Sequence, residues 1–413
     1  MLLFLDLFII ILGGVLLKFI STKIKVPALI GYLLLGILIN VLGVIDPLLN
    51  SISPYIRKIA LVIILIKAGL SLDVKDLKKV GRPAILMSFL PAVVEMVTIG
   101  LLAPLFFNIT YVESFILGSV LGAVSPAVVI PMMTFLMDKK IGTKEGIPQL
   151  ILAGSSIDDI VMIVCYQAFI GIESGGKITF MTFANIFIAI ISGTLIGIAL
   201  GLLISFIFKK ADAKMNRTLK FLMIFGLSLG LVAFEEFVSS WFLFSSLLAI
   251  ISMCLVVRIK DKDRATRIAT RATKTWVIAE MFLFFLVGAA IKVEYAAKFI
   301  LPALALLGIS LVARSLAVSA SLIKTNLNIK ERAFTVISYL PKATVQASIG
   351  GGLLDLGNKL LASNSPNAEA VVFAGTIVLS VSVLSILITA PLASLTMNFT
   401  YDKLLKEEVS KEQ

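Results

Sequence analysis

The chain has no histidine and only two cysteines among its 413 residues, and charged side chains make up just 15% of it. Without histidine, any proton carried by a side chain must ride on aspartate, glutamate or lysine. Cys165 and Cys254 lie inside apolar segments and read as packing residues, which gives no disulfide framework. No complete phosphate loop is present, since the stretch Gly171–Lys177 is followed by Ile178 where Gly-x-x-x-x-Gly-Lys needs a Ser or Thr, so nothing suggests a nucleotide-driven pump. No nucleophile–base pair or metal-ligand cluster appears either, so neither an enzyme nor a resident cofactor is expected. The first run, residues 1–20, lacks the basic leader and small-residue cleavage site of a signal peptide, and it reads as a membrane span.

What fills the chain instead is apolar. Hydrophobic residues make up 59% of it, the mean hydropathy is +1.05, and runs of about 20 such residues recur from end to end. The fold class expected is an all-α membrane protein. Thirteen spans are expected, at 2–20, 27–45, 57–73, 83–107, 114–137, 147–171, 180–207, 219–238, 241–257, 275–291, 296–322, 332–354 and 368–396. The net charge of +12 would point to nucleic acid in a soluble protein, but its distribution here is a topology signal. Loops after odd spans are rich in Lys and Arg, as in Lys75, Lys78, Lys79 and Arg82, or Arg258, Lys260, Lys262, Arg264, Arg267, Arg271 and Lys274. Even loops hold few. The positive-inside rule then sets the N-terminus outside and the C-terminus in the cytoplasm of a multi-pass cell-membrane protein.

Two adjacent carboxylates, Asp158 and Asp159, sit in the middle of the sixth span. A charge at that depth costs roughly 2.5–3.5 kcal/mol on insertion scales, so it is seldom kept without a use. Neighbours on a helix point about 100° apart, so one acid can face a cavity while the other faces a packed helix. A carboxylate in such a place can hold a proton or, when ionised, act as a hard oxygen ligand for a small cation. Competition between the two is the basis of exchange.

Other intramembrane charges fall in a pattern. Glu95 lies mid-span in the fourth segment and Arg314 mid-span in the eleventh. Proline interrupts the fifth segment at Ser125-Pro126 through Pro131, and the twelfth at Leu340-Pro341-Lys342. Seven spans separate the members of each pair, so the two halves run through the membrane in opposite directions. Inverted repeats with broken helices are the mark of secondary transporters. Glu95 and Arg314 are expected to pair, while Lys342 beside Pro341 offsets half-helix carbonyl ends. Ser125, Pro126, Ser155 and Ser156 are candidate oxygen ligands or helix-break residues, though a serine in a membrane helix more often bonds its own backbone.

At this point a resemblance becomes specific. The runs Leu117–Val129, Asp158-Asp159 and Leu340–Ala347 resemble the monovalent cation:proton antiporter superfamily, closest to its sodium/proton antiporter branch with paired aspartates and a core arginine. The likeness covers nearly the whole chain. It implies a six-helix core within 83–171 and 296–396, dimerisation helices within 1–73 and 219–291, and a linker helix at 180–207. It also places the cation and proton site on Asp158 and Asp159, with Asp159 essential. One departure stands out: many bacterial members have lysine at the position assigned to Arg314.

The function expected is exchange of a monovalent cation, Na⁺ or Li⁺, for H⁺ by a homodimer in a lipid bilayer. A K⁺/H⁺ system of the same fold is the near alternative, although such systems usually append a nucleotide-binding domain and this chain ends soon after its last span. An organic-anion symporter or a non-transporting sensor is the alternative from another class.

Overall fold

A computed structural model describes residues 2–24, 26–71, 81–174, 180–210, 215–238, 242 and 244–406. Lys25, Lys75, Lys78, Lys79, Lys177, Lys214 and Lys411 of the charge pattern lie outside these residues. The described chain is helical throughout, and ten of its helices are long and apolar enough to cross a membrane. Large apolar side chains such as Phe4, Leu105, Leu301, Leu316 and Phe399 face outward. In a bilayer the surrounding solvent is itself hydrocarbon, so these positions need no cover.

In chain order the helices are α1 (Leu3–Ile24), α2 (Ala28–Val41), α3 (Pro47–Ser71), α4 (Arg82–Met87), α5 (Leu90–Phe107), α6 (Tyr111–Leu121), α7 (Pro126–Asp138), α8 (Ile147–Glu173) and α9 (Phe180–Lys210). There follow α10 (Arg217–Val238), α11 (Ser246–Lys260), α12 (Lys262–Ala289), α13 (Val293–Lys298), α14 (Ile300–Ser321), α15 (Ile329–Ser338), α16 (Thr344–Ile349), α17 (Gly352–Ala362) and α18 (Ala368–Leu404). They fall into two compact units. One holds residues 1–54, 75–173 and 284–413; the other holds 55–74 and 174–283.

The first unit carries the interrupted helices. The expected fifth segment is broken, but only between Leu121 and Pro126; Pro131 sits inside α7 without ending it. Proline at the first helical position costs nothing, because its missing N–H would have no intrahelical partner there. The expected twelfth segment breaks at 339–343, bends again at Gly350 and Gly351, and continues to Ala362 rather than ending at 354. A break that the sequence reading missed separates α4 from α5. Pro91 cannot donate to the carbonyl of Met87, and the Tyr339 hydroxyl donates to it instead, at 3.4 Å. Between α5 and α6, Asn108 takes a left-handed φ of 52° and Thr110 forms a capping box with Glu113.

In the second unit α9 packs on α11 at backbone distance. A Cβ at Gly193 or Gly197 would meet the Ser245 or Ala249 carbonyl, and one at Gly201 would lie 2.7 Å from the Met253 carbonyl. Small residues four apart thus let two membrane helices close. The expected ninth span from 241 is helical from Ser246, where Ser245 caps it; residue 241 lies outside the described set. The tenth starts at Lys262, well before the expected 275. Its basic stretch is the opening of a helix rather than a loop. Ala265, Ile268, Ala269, Ala272 and Trp276 are buried at helical spacing, and Asp261 accepts from the Arg264 N–H at 2.8 Å.

Candidate ion-binding site

The site lies in the first unit, where α6–α7 and α15–α16 are interrupted. Each break leaves carbonyls at the end of one half-helix and N–H groups at the start of the next without intrahelical partners. In hydrocarbon these must be satisfied by protein. The two breaks do this partly for each other. Ser125 donates its backbone N–H to the Pro341 carbonyl at 2.8 Å, and Thr344 donates its own to Ser125 Oγ at 3.4 Å. The Lys342 N–H goes to Thr389 Oγ1 on α18, at 2.8 Å.

Arg314, from the middle of α14, closes the carbonyl ends of both breaks. Its Nε donates to the Tyr339 carbonyl at 2.5 Å, and one terminal nitrogen donates to the Gly122 carbonyl. These are the residues that follow α15 and α6. A cation at a helix C-terminus complements the partial negative charge there, and a guanidinium has enough fixed donors to serve two ends at once. The same side chain reaches Glu95 Oε2 at 2.7 Å and Asp158 Oδ2 at 2.7 Å. Its guanidinium also stands 5.5 Å from the centre of the Tyr339 ring.

The predicted residues are therefore largely brought together. Glu95 and Arg314 pair as expected. Arg314 also pairs with Asp158, which was not expected. Lys342, expected to offset half-helix carbonyl ends, has its Nζ 2.5 Å from Glu95 Oε2. The reason is electrostatic, since a full carboxylate outweighs the partial charge of a helix end. Asp158 Oδ2 also accepts from the Val124 N–H at 3.0 Å. Asp159 forms no ion pair or hydrogen bond among the described residues, and its Oδ1 is buried without a partner. Ser155 donates back to the Leu152 carbonyl at 3.2 Å. Ser125 joins the two breaks, Pro126 opens α7, and Ser156 lies on α8, with its side chain outside what the structure describes.

Two participants escaped the sequence reading. Tyr339 supplies both a carbonyl and a ring to Arg314. Gln346 on α16 donates its Nε2 to the carbonyls of Val120 and Ala123 at 2.9 and 3.0 Å. A fully buried amide in an apolar half-helix was the available signal for the second.

Glu95 and Asp158 pair with Arg314 and Lys342 beside the two interruptions, and Asp159 is the next residue on α8. Among apolar helices this is the construction of a secondary transporter, with a charged centre at membrane depth. The comparisons give the family. A family model described as sodium/hydrogen exchanger, transmembrane, matches residues 7–397. Human sodium/hydrogen exchanger 9B2 is 34% identical over 406 residues, covering 96% of this chain and 73% of that protein. Human sodium/hydrogen exchanger 9B1 is 30% identical over 411 residues, with 96% and 76% covered. The solved sodium proton antiporter MjNhaP1 from Methanocaldococcus jannaschii shares the fold with a TM-score of 0.80 at 20% identity, over 98% of this chain and 99% of that one. The chain belongs to the sodium/hydrogen exchanger family, whose members are multi-pass membrane transporters and not enzymes.

Proposed function

We propose that this chain exchanges Na⁺ or Li⁺ for H⁺ by alternating access, with Asp158 and Asp159 as the ion site and Asp159 as the group that switches. The observation carrying this reading is the charge count at the crossing. Glu95 is shared by Arg314 and Lys342, Asp158 is held by Arg314, and Asp159 has no basic partner among the described residues. One negative charge is left over. A proton neutralises it by bonding to the carboxylate, and a dehydrated monovalent cation neutralises it by coordination, so one excludes the other. Either occupant removes the cost of carrying a bare charge through the apolar barrier. The loaded site can therefore change its exposure, while the empty ionised site cannot.

In this reading thirteen spans cross the membrane: α4–α5, α6–α7, α13–α14 and α15–α17 each count as one, and the two segments broken at 122–125 and 339–343 belong to inverted repeats. The helices within 83–171 and 296–396 form the core that carries the site. Those within 1–73 and 219–291 make the homodimer side, and α9 links them. The observed division of the chain is drawn differently, since residues 1–54 and 284–291 fall in the unit that holds the site. The N-terminus is outside and the C-terminus in the cytoplasm, and the membrane is the cell membrane. The test is transport by purified protein in proteoliposomes. Na⁺ and Li⁺ gradients should drive proton movement, and K⁺ should not. Equal rates with K⁺ would overturn the selectivity, and the absence of any cation-driven proton flux would overturn exchange itself.

A further inference from the structure

Gln346 does more than join the two interrupted helices. Both acceptors that meet its amide, the Val120 and Ala123 carbonyls, lie at one edge of the group, at 2.9 and 3.0 Å. Only the NH₂ end can face two carbonyl oxygens, so the geometry fixes which end is which. Oε1 is thereby held at the opposite edge. It is buried, and no hydrogen-bond donor meets it. A buried acceptor is rarely left so in folded proteins, and one fixed by two well-made bonds at the other end of its amide is available to an occupant.

Its surroundings indicate the occupant. Gln346 docks on residues 120–123, and the next N–H, that of Val124, is bonded to Asp158. The helix that carries Gln346, α16, packs against α6, α8 and α18. Asp158 Oδ1 and Asp159 Oδ1, both on α8, are likewise buried without a partner. Three unpartnered oxygens, two from carboxylates and one from an amide, thus belong to elements packed at the same crossing. Oxygen donors of this mixed kind suit a hard monovalent cation that has shed part of its water. They do not suit a proton, which needs one basic oxygen alone.

We infer that Gln346 Oε1 is a neutral ligand to the transported cation and sets the preference between Na⁺ and Li⁺. This rests on the paired-aspartate site proposed above. Because the amide carries no charge, it favours the cation-loaded state without competing for the proton. The bonds to Val120 and Ala123 fix the position of the amide, so in this proposal it discriminates ions by size.

The test uses full-length purified protein, by calorimetric titration with NaCl and LiCl and by transport in proteoliposomes. Gln346→Met removes the oxygen at similar length, and Gln346→Asn keeps the amide but withdraws it by one methylene. Both should raise the half-saturating Na⁺ concentration, by about tenfold for Gln346→Met, as expected for losing one contact to a charged group. The maximal rate should change far less, and the Li⁺-to-Na⁺ ratio should shift in both. Unchanged half-saturation and ion ratio, with only a lower maximal rate or melting temperature, would make Gln346 a positioning residue and overturn the inference. If Gln346→Met does not fold, Gln346→Asn decides alone. Asp159→Asn separates the two failures. If it abolishes the Na⁺ titration while the glutamine variants titrate normally, only the role of Gln346 falls. If it titrates normally, the site itself falls.

Discussion

Arg314 lies 2.7 Å from Asp158, with both side chains fully buried, whereas Asp159 one residue further on has no such partner. The difference follows from the helical rotation between neighbours, which turns only one of the two acids toward α14. It divides the pair into a fixed carboxylate and a free one.

That division predicts unequal effects of neutralising them. Asp159→Asn should abolish cation-driven proton flux and leave the melting temperature close to that of the parent, because no ion pair is lost. Asp158→Asn should weaken transport and also lower the melting temperature, because it strips Arg314 of a buried partner. Thermal unfolding in detergent, run beside the proteoliposome assay, checks both. Ordinary exchange by purified Asp159→Asn would end the proposed mechanism.

Arg314 is also expected to resist replacement by lysine. A lysine keeps the charge but carries its donors on a single nitrogen, so it cannot reach the Tyr339 and Gly122 carbonyls together with two carboxylates. Arg314→Lys should therefore destabilise the fold, and Arg314→Gln should cost roughly 3–5 kcal/mol, the usual penalty for stranding a buried charge. Glu95→Gln should cost a similar amount, since Arg314 retains Asp158 but the buried Lys342 loses its carboxylate. In a double-mutant cycle Glu95→Gln and Arg314→Gln should couple, and strictly additive losses would argue against the pair.

A third expectation concerns Gly154, one turn before the aspartates. A Cβ there would run into the Tyr339 hydroxyl, and Met87 Cβ would be 3.1 Å away. Gly154→Ala should push α8 from the Arg314 centre and lower stability by about 1–3 kcal/mol. Tyr339→Phe removes the obstructing oxygen while leaving the backbone carbonyl that Arg314 uses. Adding it to Gly154→Ala should restore part of the lost melting temperature. No recovery in the double variant would show that the strain lies elsewhere.

How much of this was legible beforehand depended on chemistry more than on length. Charges within apolar runs are costly, so Glu95, Asp158, Asp159 and Arg314 stood out by position alone. Pro126 and Pro341 marked the breaks because a helix rarely passes the residue before proline. The partners were harder to see. Whether Lys342 turns to a carbonyl end or to Glu95 depends on how α5 and α16 cross, which periodicity does not encode. Gln346 and Tyr339 have side chains ordinary enough to pass as packing. The start of α12 was misplaced because its charged residues concealed the buried stripe from Ala265 to Trp276. The dense basic charge weighed toward a loop, while the spacing of the apolar residues held the helix.

The stoichiometry follows from the same residues. A guanidinium remains protonated under physiological conditions, so Arg314 carries a fixed charge through the cycle. Lys342 and Glu95 are paired at 2.5 Å and compensate each other locally. Asp158 is bonded to Arg314 and Val124 and, in the proposed mechanism, keeps those bonds through the cycle. Asp159 alone remains to release a proton when a cation arrives and to take one when it leaves. The proposed site therefore predicts one proton per monovalent cation and electroneutral exchange. In proteoliposomes an imposed membrane potential should leave the rate unchanged, and a Na⁺ gradient should generate no potential when other ion pathways are closed. A potential that depends on the transported cation would mean that a second group changes its protonation. Asp158 and Lys342 would then be the residues to test, by asking whether Asp158→Asn or Lys342→Gln restores electroneutral behaviour to whatever exchange survives.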